Sequence, residues 1–118
     1  MNTDNAKAQM RKGILEYCIL LVLSQNDMYA SDIINHLKLV KLIVVEGTLY
    51  PLLMRQKNAG LLAYRWEEST QGPPRKYYTI TEDGRGFLSD LNFSWNELIH
   101  SVNSLKNNSA ATSEIQPQ

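Results

Sequence analysis

The sequence predicts a mainly α fold with one β-hairpin and a long C-terminal helix. Three observations carry that prediction. Apolar residues recur at helical spacing in separate stretches before Gly60. Two β-branched and aromatic runs, Leu61 to Glu67 and Arg75 to Ile80, flank a turn with Gly72-Pro73-Pro74 at its tip. Leu88, Leu91, Trp95, Leu98, Val102 and Leu105 then return at steps of 3, 4, 3, 4 and 3.

The first helix is expected to start near Asp4 or Asn5, both good N-caps, and to run to about Ser24. Met10, Ile14, Tyr17 and Leu21 share one face, and Cys18, Ile19, Leu20, Val22 and Leu23 extend the apolar surface around most of the circumference. A helix apolar nearly all round is buried on more than one side, so a second surface must cover what its own domain does not. Gln25-Asn26-Asp27 is a polar turn. Ser31 is expected to cap a second helix with Ile33, Ile34 and Leu37 facing inward. Lys38 to Val45 is basic and then β-branched, and reads as a short strand or an extended connection.

A third helix begins around Glu46-Gly47-Thr48, with Pro51 expected in its first turn, where a missing N–H costs little. Leu49, Leu52 and Leu53 form its inner stripe, and Gly60 ends it as a C′ glycine. Thr48, Tyr50, Met54, Arg55, Lys57 and Asn58 form its outer surface. After the hairpin, Thr81-Glu82-Asp83 opens the last helix with a Thr cap and acids where the dipole favours them. The seam in that helix covers about two and a half heptads, short of the ~3–4 that argue an independent coiled coil. The expected organisation is therefore a domain over 1–80, a helix over 81–106 and a polar, disordered tail over 107–118.

The chain has 118 residues, 12 Lys+Arg, 12 Asp+Glu and 1 Cys. This length buries a core without staples, and one cysteine makes no internal disulfide. The run from Ile14 to Leu23 is interrupted by Glu16 and is far below the ~18 residues of a membrane span. With no basic-then-apolar start, no signal peptide is expected, and a cytoplasmic location without membrane attachment follows. Zero net charge is unusual for a nucleic-acid binder, although distribution matters more than the sum. His36 and His100 lack neighbours at metal spacing, and no nucleophile–base set, carboxylate pair or phosphate-cradling loop stands out. No cofactor, metal or enzymatic activity is expected.

Three helices, a hairpin and a long helix is the order of a winged helix-turn-helix, whose third helix can enter a major groove ~12 Å wide. Gly47-Thr48-Leu49-Tyr50-Pro51-Leu52-Leu53, Gly60-Leu61-Leu62, Gly72-Pro73-Pro74-Arg75-Lys76-Tyr77-Tyr78 and Thr81-Glu82-Asp83-Gly84 sharpen that reading. Together they resemble the PadR family of bacterial transcriptional regulators, over residues 13 to 106, and the chain length fits its short class. The resemblance implies a winged-helix DNA-binding domain, a homodimer built on the C-terminal helix, and operator binding to double-stranded DNA, usually for repression. Two positions depart from the family pattern. Gln56 stands where an aliphatic residue is usual, and Pro73-Pro74 stiffens a wing tip that often carries basic residues or glycine.

On this reading Arg75 and Lys76 of the wing contact phosphate or the minor groove, or else form a solvated basic pair. Thr48, Tyr50 and Arg55 are candidates on the recognition helix. Thr48 serves equally as a cap, Tyr50 as a half-buried flank, and Arg55 as the partner of a nearby acid. Lys7, Arg11 and Lys12 either reach the DNA backbone or form a solvated face. Leu91, Trp95, Leu98 and Val102, with Met10, Ile14 and Cys18 of the first helix, are candidates for a dimer interface or ligand pocket. The resemblance allows a small hydrophobic or aromatic effector stacked on Trp95, as multidrug-sensing members stack flat compounds on a Trp. A lone Cys18 in an apolar helix reads as core before it reads as a redox sensor. Two rival functions remain: a protein-interaction module that keeps the fold without binding DNA, and a small-molecule carrier centred on Trp95.

Overall fold

The computed structural model describes residues 2–111. Helix α1 (Thr3–Leu23) starts earlier than expected, because Asn2 supplies the cap: its Oδ1 accepts from the Asp4 N–H at 2.7 Å. Asp4 falls instead in the first turn, where its charge complements the helix dipole. Burial is confined to the C-terminal half, at Ile19, Leu20 and Leu23. The Met10, Ile14, Tyr17 and Leu21 stripe is not the core face; Ile14, Tyr17 and Leu21 are half-buried and Met10 is 75% exposed.

A two-residue strand, β1 (Met28–Tyr29), precedes helix α2 (Ala30–Leu39). Ser31 lies inside α2 rather than capping it. The N-cap is Tyr29, whose N–H donates back to Asp32 Oδ2 at 3.1 Å. Helix α2 ends in a Schellman turn: the Leu42 N–H donates to Leu37 O at 2.9 Å and the Lys41 N–H to Lys38 O at 2.9 Å. Lys41 holds the left-handed position, φ 66°, usually given to glycine. The rest of the segment to Val45 is an extended connection without strand pairing.

Helix α3 (Glu46–Asn58) contains Pro51 at its sixth residue, one turn deeper than expected. The ring therefore removes a helical N–H that would otherwise reach back to the Gly47 carbonyl. Leu49 and Leu53 root the helix, and Gly60, φ 81°, closes it with the same turn as α2: Leu61 N–H to Gln56 O at 2.9 Å and Gly60 N–H to Lys57 O at 3.0 Å. Ile19, Leu20, Leu23, Ile33, Leu37, Leu49 and Leu53, from all three helices, are each under 2% exposed and form the centre of the core. Burial of each such side chain stabilises the fold by ~1.5–3 kcal/mol before entropy is counted.

Strands β2 (Leu62–Glu67) and β3 (Arg75–Ile80) form the expected hairpin. Strand β1 adds to its other side, with Met28 opposite Tyr78, so the sheet has the order β1-β3-β2. Helix α4 (Glu82–Ala111) starts at a crowded corner. Thr81 Oγ1 accepts from the Gly84 N–H at 2.9 Å and donates toward the carbonyls of Gly60 (2.7 Å) and Leu61 (3.0 Å). A Cβ on Gly84 would lie 2.1 Å from the Leu61 oxygen, so only glycine lets the first turn of α4 approach the end of α3. Helix α4 continues through 107–111, which the sequence assigned to a disordered tail; residues 112–118 of that tail lie outside the described residues.

The chain divides into two compact units, the first ending at Leu88 and the second beginning at Ser89 within α4. In the second, Phe93, Leu98, Ile99, Val102 and Leu105 are exposed. Among the described residues no helix is long and apolar enough to cross a membrane.

Candidate nucleic-acid interface

The N-terminal half of α3 forms a ridge. Glu46, Gly47, Thr48 and Tyr50 are exposed, while Leu49 between them is fully buried. Burial of one side fixes which side faces out. A recess lies on each flank of this ridge.

The first recess, about 350 Å³, lies between α1 and the connection after α2. Arg11 and Lys12 stand with Thr48 at its edge, and Ile14, Leu15, Cys18, Leu42 and Val44 supply apolar wall. The structure thus brings Arg11 to the start of α3, which sequence spacing alone could not do. Lys7 is exposed one turn earlier on α1. Burial pushes the Cys18 thiol up, which keeps it protonated and unreactive at neutral pH.

The second recess, about 310 Å³, lies between the starts of α2 and α3 and the wing. Tyr50 and Glu46 meet Arg75, Lys76, Ser31 and Trp66 there. Burial raises the Tyr78 hydroxyl above its usual range, and the neighbouring Tyr50 and Tyr64 add to the shift. Tyr50 lines this recess with Tyr78 and is 46% exposed.

The wing cations are held on aromatic faces. The Arg75 guanidinium sits 3.9 Å from the centroid of Tyr29, with Nη1 3.5 Å from Ser31 Oγ. The Lys76 Nζ lies 4.5 Å from the Tyr64 centroid and 5.5 Å from Trp66, its cross-strand partner. Cation–π contacts of this kind contribute ~0.5–1 kcal/mol at exposed sites. They leave Arg75 and Lys76 at the rim of the recess rather than at the wing tip, where Gly72-Pro73-Pro74 carries no charge.

Arg55 is placed differently. Seven residues beyond Thr48 it falls on the side of α3 that faces α1, and its Nε donates to Glu16 Oε2 at 3.2 Å, with Nη2 paired to the other oxygen. Next to it Gln56, 2% exposed, donates from Nε2 to the Glu16 carbonyl at 3.0 Å. Its Oε1 is buried without a hydrogen-bond partner among the described residues. The polar departure from the family pattern therefore sits inside the α1–α3 seam with its amide nitrogen bonded and its amide oxygen unmet among the described residues.

The candidate ligand or dimer residues divide between the two units. Ile14 and Cys18 line the first recess, and Met10 projects from α1. Leu91, Trp95, Leu98 and Val102 belong to the second unit, where Trp95 is 36% exposed. Tyr29, Ser31, Glu46 and Trp66 are not among the site residues the sequence suggests, where Ser31 and Glu46 appear only as helix starts. Trp66 carried a signal: it continues the Leu62, Tyr64 face of β2 beyond the point where the core ends. The other three emerge only when the starts of α2 and α3 are brought to the wing.

Residues 19–90 match the family described as transcriptional regulator PadR-like. The structure is similar to that of a PadR-like transcription factor from Bacteroides fragilis, 62% identical, with 86% of this chain and 98% of that one covered and a TM-score of 0.74. It is also similar to a PadR-like transcriptional regulator from Bacillus cereus, 39% identical over 82% of this chain and 95% of that one, TM-score 0.74. A PadR family regulator from Eggerthella lenta is 31% identical over 87% and 90%, TM-score 0.78. With three helices, a wing and a C-terminal helix in the order these relatives share, the chain is a winged-helix protein and belongs to the PadR-like family of transcriptional regulators.

Proposed function

We propose that the protein is a homodimeric repressor that binds a pseudo-palindromic operator. The N-terminal half of α3 enters the major groove with Thr48 and Tyr50 toward the bases. Arg75 and Lys76 contact phosphates on one flank, and Lys7 and Arg11 on the other. Arg55 acts behind them, holding α3 to α1 through Glu16. The observation that carries this reading is the ridge itself: exposed polar residues on a firmly rooted helix, with Arg11 and Lys12 in the recess on one side, Lys7 a turn before them, and Arg75 and Lys76 in the recess on the other. Dimerisation uses Leu91, Trp95, Leu98 and Val102 of α4, against Met10, Ile14 and Cys18 of the partner's first helix. A small hydrophobic or aromatic effector at that interface releases DNA if it prefers a spacing of the two α3 helices that the operator does not accept.

The test is selection of bound genomic fragments by purified protein near physiological salt, beside an Arg75→Ala, Lys76→Ala variant. The expected result is an enriched palindrome that the variant binds weakly. Removing one cation from a phosphate should flatten the slope of log affinity against log salt by ~0.9. Weak binding with no salt dependence in the unaltered protein would overturn the reading in favour of an interaction module.

A further inference from the structure

We infer that Glu46 is a specificity-determining residue, whose carboxylate selects cytosine at one position of each operator half-site by accepting a hydrogen bond from the base's N4 amino group. The inference rests on the DNA-facing orientation of α3 proposed above. Glu46 is the first residue of α3, is exposed, and shares the wing-side recess with Tyr50, Arg75 and Lys76.

In the free protein an acid at this position gains from the helix dipole. On DNA the same position meets a polyanion carrying one charge per ~1.7 Å of axis. A carboxylate there is repelled unless a donor receives it, and an ionised Glu accepts hydrogen bonds but offers none. In the major groove guanine presents the acceptors N7 and O6, and thymine the acceptor O4 beside its methyl group. Adenine presents a donor, N6, next to the N7 acceptor. Cytosine alone shows a donor with no acceptor on its own edge. Arg75 and Lys76 stand in the same recess and neutralise the flanking phosphates, so the acid can approach the base while they hold the backbone. The recess thus combines two sequence-independent cations with one sequence-dependent anion.

The experiment is selection from a random-sequence DNA pool with the full-length protein and with Glu46→Ala and Glu46→Gln. Competition binding then follows on the selected site with each base pair changed in turn. The wild-type motif should contain one C·G pair per half-site whose replacement weakens binding by roughly tenfold. Glu46→Ala should accept all four pairs at that position within about twofold and keep the rest of the motif. Glu46→Gln should move the preference toward adenine, which an amide matches at N6 and N7. A thermal melt verifies that both variants fold. If Glu46→Ala binds every sequence more tightly with the motif unchanged, or changes nothing, the inference is overturned and the DNA-binding reading stands. If the wild type enriches no motif, both are overturned.

Discussion

The two units of the chain treat their apolar residues in opposite ways. In the first, seven large side chains from three helices are under 2% exposed. In the second, Phe93 (68%), Leu98 (57%), Val102 (48%) and Leu105 (71%) lie open on a helix that is the only element of its unit among the described residues. The first unit closes a core with its own chain. One helix cannot do so, and an isolated helix is marginal in water. We take the exposed seam residues Leu98, Val102 and Leu105 as part of the dimer interface proposed above. On that proposal, the seam, short of an independent coiled coil, supplies one side of the dimer contact.

The strongest perturbation acts on the first unit. Leu53→Ala removes a fully buried side chain at the centre of the three helices and should cost ~2–5 kcal/mol, seen as a lower thermal midpoint. Leu105→Ala, at an exposed position, should leave the melt of the monomer within ~0.5 kcal/mol of wild type. Next comes the second unit. Leu98→Asp with Val102→Asp should convert the proposed dimer to monomer by light scattering at micromolar concentration while far-UV circular dichroism retains a folded first unit. Persistence of the dimer would place the interface elsewhere.

Smaller changes probe the interior and turns of the first unit. Gln56→Leu removes an amide oxygen buried without a partner among the described residues and should raise stability by ~1 kcal/mol in urea unfolding. A decrease of comparable size would show that the Nε2 bond to the Glu16 carbonyl outweighs the orphaned oxygen. Lys41→Gly relieves a left-handed non-glycine residue and should stabilise by ~0.5–1 kcal/mol in the same assay, less whatever the added freedom of the unfolded chain returns.

The elements with dense local signals were legible in the sequence. Gly60 announced the end of α3, Thr81 the start of α4, and the hairpin its own strands. What was missed depends on partners distant in the chain. Two residues, Met28 and Tyr29, become a strand only because β3 lies beside them. Ser31 is a better cap by type than Tyr29, but the pairing of Tyr29 with Tyr77 fixes where the helix begins. Lys41 hides a turn that glycine would have advertised. Periodicity identified α1 as apolar all round but could not tell which side its own domain would cover.

The candidate site followed the same rule. Residue type selected Thr48, Tyr50, Arg75 and Lys76, and the fold assembles them around the start of α3. Arg55 met the same criteria of type and exposure. The sequence leaves it open between a recognition-helix contact and an acid partner, and the fold supplies the acid, Glu16, 39 positions away.

The stacking of Arg75 on Tyr29 and of Lys76 on Tyr64 and Trp66 bears on the thermodynamics of association. A free Arg or Lys side chain carries ~2 kcal/mol of rotamer entropy that an anionic partner must freeze. Here each cation already rests against an aromatic ring, which offsets part of that cost by the ~0.5–1 kcal/mol of an exposed cation–π contact. Association through this edge then keeps the salt dependence of two cations while surrendering less disorder, so its entropy of binding should be more favourable than that of two unrestrained lysines on the same strand. Calorimetry of a Tyr64→Ala, Trp66→Ala variant, which frees Lys76 without removing its charge, would read that difference directly.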